Sequence, residues 1–234
     1  MKERPILFSA TMVRAIIEGR KTQTRRVMNV QPLIDSCQLA RCISSSDSKK
    51  VNKFHWVNVD RSDNYKDNRY FTCPYGQAGD RLWVRETFCP IYPQDPTYNG
   101  GEPIEYDYAA TYKHGDRLGD FVCIKKVWKP SIHMPRCASR ITLEITGVRV
   151  ERLQDISEAD AVAEGISRIT KDGRLFKHGI PDRDGLPGND DDGWHWQEWE
   201  VYPRDAYQTL WESINGPESW DSNPWVWVVE FKKV

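Results

Sequence analysis

The sequence lacks most of the features that assign a protein at a glance. No run of 18 or more apolar residues occurs, which predicts no transmembrane helix. The opening stretch, MKERPILFSATM, is too short in apolar residues for a signal peptide, and Arg14 soon follows, so a cytoplasmic location is expected. The net charge of −1 and the 12% aromatic content are the wrong way round for a disordered chain. None of the six cysteines forms a C-x-x-C pair. The nearest two, Cys37 and Cys42, have no histidine spaced to complete a zinc site, so reduced, partly buried thiols are expected. There is no phosphate-cradling glycine motif, and no H-E-x-x-H, G-x-S-x-G or D-x-D-x-D-G pattern. The five histidines, His55, His114, His133, His178 and His195, are isolated, which disfavours serine-hydrolase and metalloenzyme chemistry. Neither a metal nor a cofactor is expected. Internal repeats are absent as well.

What is present is enough chain for a sizeable core. At 234 residues about 70% of the unfolded surface can be buried, which suits a single domain over 1–234 carrying insertions. Charge is unevenly spread. Residues 13–26 hold Arg14, Arg20, Lys21, Arg25 and Arg26 against Glu18, and 125–140 hold five cations with no acid. From Asp182 to Asp221 eleven acids face Arg183 and Arg204. One positive face, with affinity for phosphates, is compatible with the neutral total.

Periodicity places the elements. Ser9 suits the N-cap of a short helix with Met12, Val13, Ile16 and Ile17 on one face and Gly19 at its end. RLWVRETF at 81–88 reads as a strand with Leu82, Val84 and Glu86 on one side. A short strand is expected around 54–59 and another near Tyr106 to Tyr112, and RITLEITGVRVERL at 140–153 is strongly strand-like. Ser157 and Asp160 resemble a capping box for a helix whose apolar side is Ala159, Val162 and Ala163. After Pro203 a helix with the stripe Ala206, Leu210, Trp211 and Ile214 stops at Gly216, and WVWVVEF closes the chain as a strand. This order predicts an α+β fold, a small mixed barrel carrying loops.

The segment GRKTQTRR follows the first helix directly. A threonine hydroxyl needs a base to become a nucleophile, and a desolvated lysine can serve. Lys21 and Thr24 are three apart, so their heads could meet in a turn, with a carboxylate to orient the lysine. A plain basic turn with locally bonded threonines fits the spacing as well.

Helix–GRKTQTRR, then GDRLWVRETF, then ITLEITGVRVERL running into LQDISEADAVAEGI, and finally PWVWVVEF together resemble an ASCH domain of the PUA-like superfamily. The resemblance spans residues 4–26, 76–88, 138–166 and 203–231, and the whole chain is similar to the longer ASCH proteins of bacteriophages and prophages. It implies a small PUA-like β-barrel with flanking short helices, three loop-rich insertions at about 35–75, 89–135 and 167–200 outside the minimal core, a cytoplasmic setting in a bacterial host or phage-infected bacterium, and a cleft linked to RNA or modified-nucleoside recognition. One small ASCH enzyme is an N(4)-acetylcytidine amidohydrolase. Its Lys, Thr and Glu fall on Lys21, Thr24 and Glu164, as base, nucleophile and orienting carboxylate, with Glu86 an alternative carboxylate. A binding module would use Thr22, Arg25, Arg26, Trp83, Arg85 and Glu86, with Trp83 or Tyr75 stacking on a base and the two arginines on phosphate. RNA or nucleotide binding is the first expectation and amidohydrolysis the alternative, with ribonuclease activity also linked to the family. A weaker alternative is a phage accessory module that binds a protein through the acidic stretch 190–200, home to three of the ten tryptophans.

Overall fold

Alternating burial along the central strands builds one five-stranded sheet, and everything else is arranged around it. In this computed structural model residues 1–32, 37–51, 53–58, 69–93, 95, 97–111, 128–182, 184–188 and 193–234 are described. The sheet contains β1 (Glu3–Leu7), β2 (Gln23–Val27), β5 (Arg81–Arg85), β8 (Thr142–Arg152) and β11 (Trp225–Lys233), in the order β1-β5-β8-β11-β2. β1 runs parallel to β5, and the other pairings are antiparallel. Leu82, Val84, Leu143, Ile145, Val226, Val228 and Val229 are essentially inaccessible to solvent and join one core with Met12, Val13 and Ile16.

The α+β class holds, but the expected closed barrel does not form: among the described residues no hydrogen-bonded ladder joins β1 to β2. The sheet is open yet strongly curled. Four inter-strand spacings would put β1 and β2 about 19 Å apart in a flat sheet, whereas Arg26 Nη2 on β2 donates to the Leu7 carbonyl on β1 at 2.6 Å. A bulge contributes to the curl. Between Glu230 and Phe231 the register with β8 shifts by one residue. Gly147 sits at that point, where a Cβ would lie 2.5 Å from Glu230 Oε2.

Helix α1 (Ala10–Ile17) starts as expected, with Ser9 Oγ accepting from the Met12 N–H, and Gly19 takes the left-handed conformation after it. Ile17, however, lies 36% exposed, off the buried face. The stretch 81–88 is not one strand: the chain leaves β5 at Glu86 and re-pairs as β6 (Phe88–Ile91) with β7 (Glu105–Tyr108), which ends short of Tyr112. The first insertion folds as the hairpin β3 (Cys37–Arg41) and β4 (Phe54–Asn58). It packs down on the sheet, with Phe54 edge-on to Trp227 at 5.3 Å and Trp56 against Trp225 at 5.1 Å.

Helix α2 (Glu158–Ala163) is capped by Ser157, which accepts from the Asp160 N–H at 3.1 Å. Its buried face is not the expected Ala159, Val162 and Ala163. Ala161 and the following Glu164 point inward, because this short helix faces a cluster of charges described below. In α3 (Pro203–Asn215), Ala206, Tyr207, Leu210 and Trp211 are buried, while Ile214, expected in the stripe, is 63% exposed on the last turn. The third insertion forms the hairpin β9 (Ser167–Thr170) and β10 (Phe176–Gly179), which contacts α3. Trp199 in this insertion is 1% exposed and lies against Gly179, and Trp196 packs on Trp199 with ring centres 5.9 Å apart. These tryptophans therefore pack against their own segment. Cys42, Cys73, Cys89 and Cys137 are free thiols, whereas Cys123, His114 and the basic pair Lys125–Lys126 lie outside the described residues.

Candidate functional site

The turn after α1 brings GRKTQTRR against the end of α2. Lys21 N–H donates to the Ala15 carbonyl and Thr22 N–H to the Ala163 carbonyl, both at 2.9 Å. Gly165 makes this approach possible. Its φ is +104°, and a Cβ there would meet Ala15 Cβ at 3.0 Å and Lys21 Cβ at 3.2 Å.

From this point side chains alternate. Lys21, Gln23 and Arg25 all reach α2 or its end: Gln23 Nε2 donates to the Asp160 carbonyl at 2.9 Å. Lys21 Nζ donates to Glu164 Oε2 at 2.8 Å and to the Glu164 carbonyl at 2.7 Å, and both side chains are 3% exposed. Arg25, with no exposed side-chain surface, donates to Glu164 Oε1 at 3.1 Å, to Asp160 Oδ2 at 3.3 Å and to Glu151 Oε1, through Nε at 3.0 Å and also through Nη2. Arg149 extends the network to Asp160 and Glu151, each at 3.1 Å, and to Glu230. Glu164 thus holds Lys21 with one oxygen and Arg25 with the other.

Burial pushes the Lys21 ammonium below the usual lysine range, and Arg26 and Arg25 add to the effect, although Glu164 opposes it. Phe8 completes the surroundings, its ring centre 5.6 Å from Lys21 Nζ and 5.4 Å from the Arg26 guanidinium carbon. Burial, and then Glu164, raise the Tyr207 phenol well above its ordinary range, so it remains a hydrogen-bond donor.

A cavity of about 400 Å³ opens onto this arrangement, a size suited to a small organic ligand. Lys21, Thr24, Arg26 and Glu164 line it, with Tyr75 and Ser131 from the first two insertions and Tyr207 and Trp211 from α3. None of the described residues of the third insertion lines it. The Thr24 hydroxyl makes no hydrogen bond within the described residues. Strand β2 explains this: Thr24 lies on the side of the strand opposite Gln23 and Arg25, so its hydroxyl does not meet the Lys21 ammonium as it would in a turn.

The sequence-predicted residues therefore separate. Lys21, Thr24, Glu164 and Arg26 share the cavity. Arg25 touches its wall, but its donors go to three carboxylates, so it is not the phosphate contact expected of it. Thr22 is exposed and lies outside the cavity. Glu86, the alternative carboxylate, follows the end of β5, does not line the cavity and pairs bidentately with Arg140, both bonds at 2.9 Å. Trp83 does not line the cavity, and the Arg85 and Arg136 guanidinium carbons stand 5.5 and 5.9 Å from its ring. Arg85 is further held by the Ile132 carbonyl.

Sequence reasoning missed Glu151, Asp160, Arg149, Phe8 and Tyr207. Two spacings carried a signal: Asp160 and Glu164 are four apart on one helix face, and Arg149 and Glu151 alternate onto one face of β8. Among the described residues no group of His, Cys, Asp and Glu is arranged to hold a metal ion, and no helix is long and apolar enough to cross a membrane. No family model, curated protein or solved structure matches the chain.

Proposed function

We propose that the cavity takes a nucleoside-sized substrate carrying an acylated amine, and that Lys21, Thr24 and Glu164 hydrolyse the amide. The observation that carries this reading is the Lys21–Glu164 pair: a buried lysine of lowered pKa, oriented by a carboxylate, opens onto the same cavity as an unbonded threonine hydroxyl. Glu164 accepts two of the three Lys21 donors, leaving one direction free for a group in the cavity. In the neutral form that burial favours, Lys21 takes the Thr24 proton through one bridging water, because the two heads do not meet directly, as Oγ1 attacks the acyl carbonyl. The C–N bond then breaks, the proton passes to the departing amine, and water cleaves the threonyl ester with Lys21 again relaying the proton. The likeness to an ASCH amidohydrolase at Lys21, Thr24 and Glu164 supports the same assignment.

A binding-only reading is favoured by one observation, the missing bond between Lys21 and Thr24. In that case Arg26 and Tyr75 hold an RNA base or nucleotide without turnover. Incubation of the protein with N(4)-acetylcytidine and chromatographic detection of cytidine separates the two. Hydrolysis is expected, with Lys21→Ala and Thr24→Ala each losing roughly 100-fold or more, in line with loss of a general base or nucleophile. Turnover that survives in Lys21→Ala refutes the mechanism. Saturable binding without turnover moves the assignment to recognition.

A further inference from the structure

Arg25 stands directly behind the Lys21–Glu164 pair. Its side chain has no exposed surface, so its charge acts on protein groups and not on a molecule in the cavity. Two carboxylates hold it from the far side. Glu151 Oε1 accepts from Nε at 3.0 Å and also from Nη2, and Asp160 Oδ2 accepts from Nη2 at 3.3 Å. The Tyr207 ring centre lies 5.9 Å from the guanidinium carbon. The remaining nitrogen, Nη1, donates to Glu164 Oε1 at 3.1 Å, while Glu164 Oε2 accepts from Lys21 Nζ at 2.8 Å. A carboxylate bonded through one oxygen can swing about its terminal torsion, which is broad and weakly restrained. A planar guanidinium anchored through its other nitrogens removes that freedom.

We infer that Arg25 is a positioning residue for Lys21: it fixes the aim of Glu164 and shares its charge, so that Lys21 is not locked as an ammonium and can take a proton from the cavity. This rests on the reading of Lys21 as the base and adds a residue that never touches substrate. The charge balance shows why a second cation matters. With Lys21 protonated, the buried trio of Lys21, Arg25 and Glu164 carries one net positive charge, and loss of the lysine proton leaves a neutral Arg25–Glu164 pair. Without Arg25 the Lys21–Glu164 pair would be neutral only while Lys21 keeps its proton, and the anion would hold it there. The other charged groups around Lys21 are accounted for. Arg26 faces it from β2, and Tyr207 faces Glu164 and Arg25 from α3. Arg20, next in the chain, is taken by Glu18 and the Gly165 carbonyl. Behind Arg25, Arg149 on β8 bonds Glu151, Asp160 and Glu230.

The test follows the titration of Lys21 itself, by the NMR shift of its ε-carbon in the full chain, and in parallel the pH profile of kcat/KM for N(4)-acetylcytidine. Any substitution that merely loosens the site lets water reach Lys21 and moves its midpoint upward, so three variants are compared. Arg25→Met removes the charge. It is expected to raise the midpoint by about one pH unit or more, and to lower kcat/KM at pH 7 by about 10-fold, with recovery at higher pH. Arg25→Lys keeps the charge and is expected to hold the midpoint near that of the unaltered protein. Glu151→Gln removes an anion behind Arg25 and is expected to move the midpoint downward, the direction that loosening cannot produce. A midpoint that stays in place in Arg25→Met overturns the inference, and so does one that rises in both Arg25→Lys and Glu151→Gln. If Arg25→Met does not fold, the other two variants decide. Midpoints that move as expected in a protein that does not hydrolyse the nucleoside leave the inference standing and refute the amidohydrolase. Hydrolysis whose pH profile ignores all three variants does the reverse.

Discussion

Glu164→Gln isolates the physical core of the site, because one carboxylate there serves two buried cations. The substitution keeps the shape and removes the charge. The amide offers one acceptor oxygen, so either Lys21 Nζ or Arg25 Nη1, now 2.8 and 3.1 Å from carboxylate oxygens, must face an N–H₂ group. With the Lys21 and Arg25 side chains 3% and 0% exposed, water cannot make up the loss. Removing one partner of a buried ion pair costs about 3–5 kcal/mol, which for a chain of this length lowers Tm by roughly 6–20 °C. The loss should depend on pH in a definite sense. The folded-state pKa of Lys21 lies below its unfolded value. Between those two pKa values the unfolded chain binds more protons, so stability rises with pH. Glu164 is the main influence opposing that lowering, so the variant's window reaches to lower pH and the variant recovers more on the way up. Urea unfolding at pH 7 and pH 9.5 should therefore show a larger deficit at pH 7. A residual deficit stays at the higher pH because Arg25 remains charged. A deficit below about 1 kcal/mol at pH 7, or one that grows with pH, would refute the reasoning that Glu164 neutralises both cations.

Two further outcomes follow from the same geometry. Gly165→Ala should destabilise by roughly 1–3 kcal/mol through its left-handed backbone alone, with the contacts to Ala15 and Lys21 adding to it, and denaturant unfolding reads the loss. Asp80 accepts from the Lys2 N–H at 2.8 Å, the Gln77 N–H at 3.3 Å and Arg4 at 3.1 Å, and these bonds hold its carboxyl below the usual range despite burial. Its contribution is present above the unfolded value near 3.9 and lost as pH falls through the folded one, so the cost of Asp80→Asn should be clear at pH 7 and fade in acid.

Residues whose role is set by their own neighbours in sequence were legible. Ser9 and Gly19 announce α1, the alternation Leu82–Val84–Glu86 announces a buried strand face, and Lys21 and Glu164 could be placed together through a resemblance. What periodicity cannot supply is the identity of the group opposite. Glu86 and Glu164 are both glutamates 1–2% exposed, yet Arg140 meets one and Lys21 the other, and only the path of the chain after β5 decides which. Arg25 and Arg26 are adjacent and chemically alike. Strand alternation sends one into three carboxylates and the other to the cavity wall. The inward face of α2 is not legible for the same reason: Ala161 joins the apolar core, while Asp160 and Glu164 meet Arg25, Arg149 and Lys21. Closure of a barrel depends on the far edges of β1 and β2 pairing, about which neither strand's sequence speaks.

The position of β11 bears on how the chain reaches this structure. Of the five strands in this sheet it comes latest in sequence, yet it lies inside the sheet, pairing with β8 on one side and β2 on the other. Until residues 225–233 arrive, β2 has no ladder partner in the sheet, and β8 shows an open edge beside Val148 and Val150. A nascent chain in that condition holds two unpaired strand edges and an uncovered apolar face at once, the state in which sheets join the wrong neighbour. The pairing of residues 23–27 with 226–230 also places a contact of very long sequence separation late on the pathway. Folding should therefore be slow and concentration-sensitive, and a chain cut short before Trp225 would keep the β1-β5-β8 group and leave β2 without a partner in the sheet.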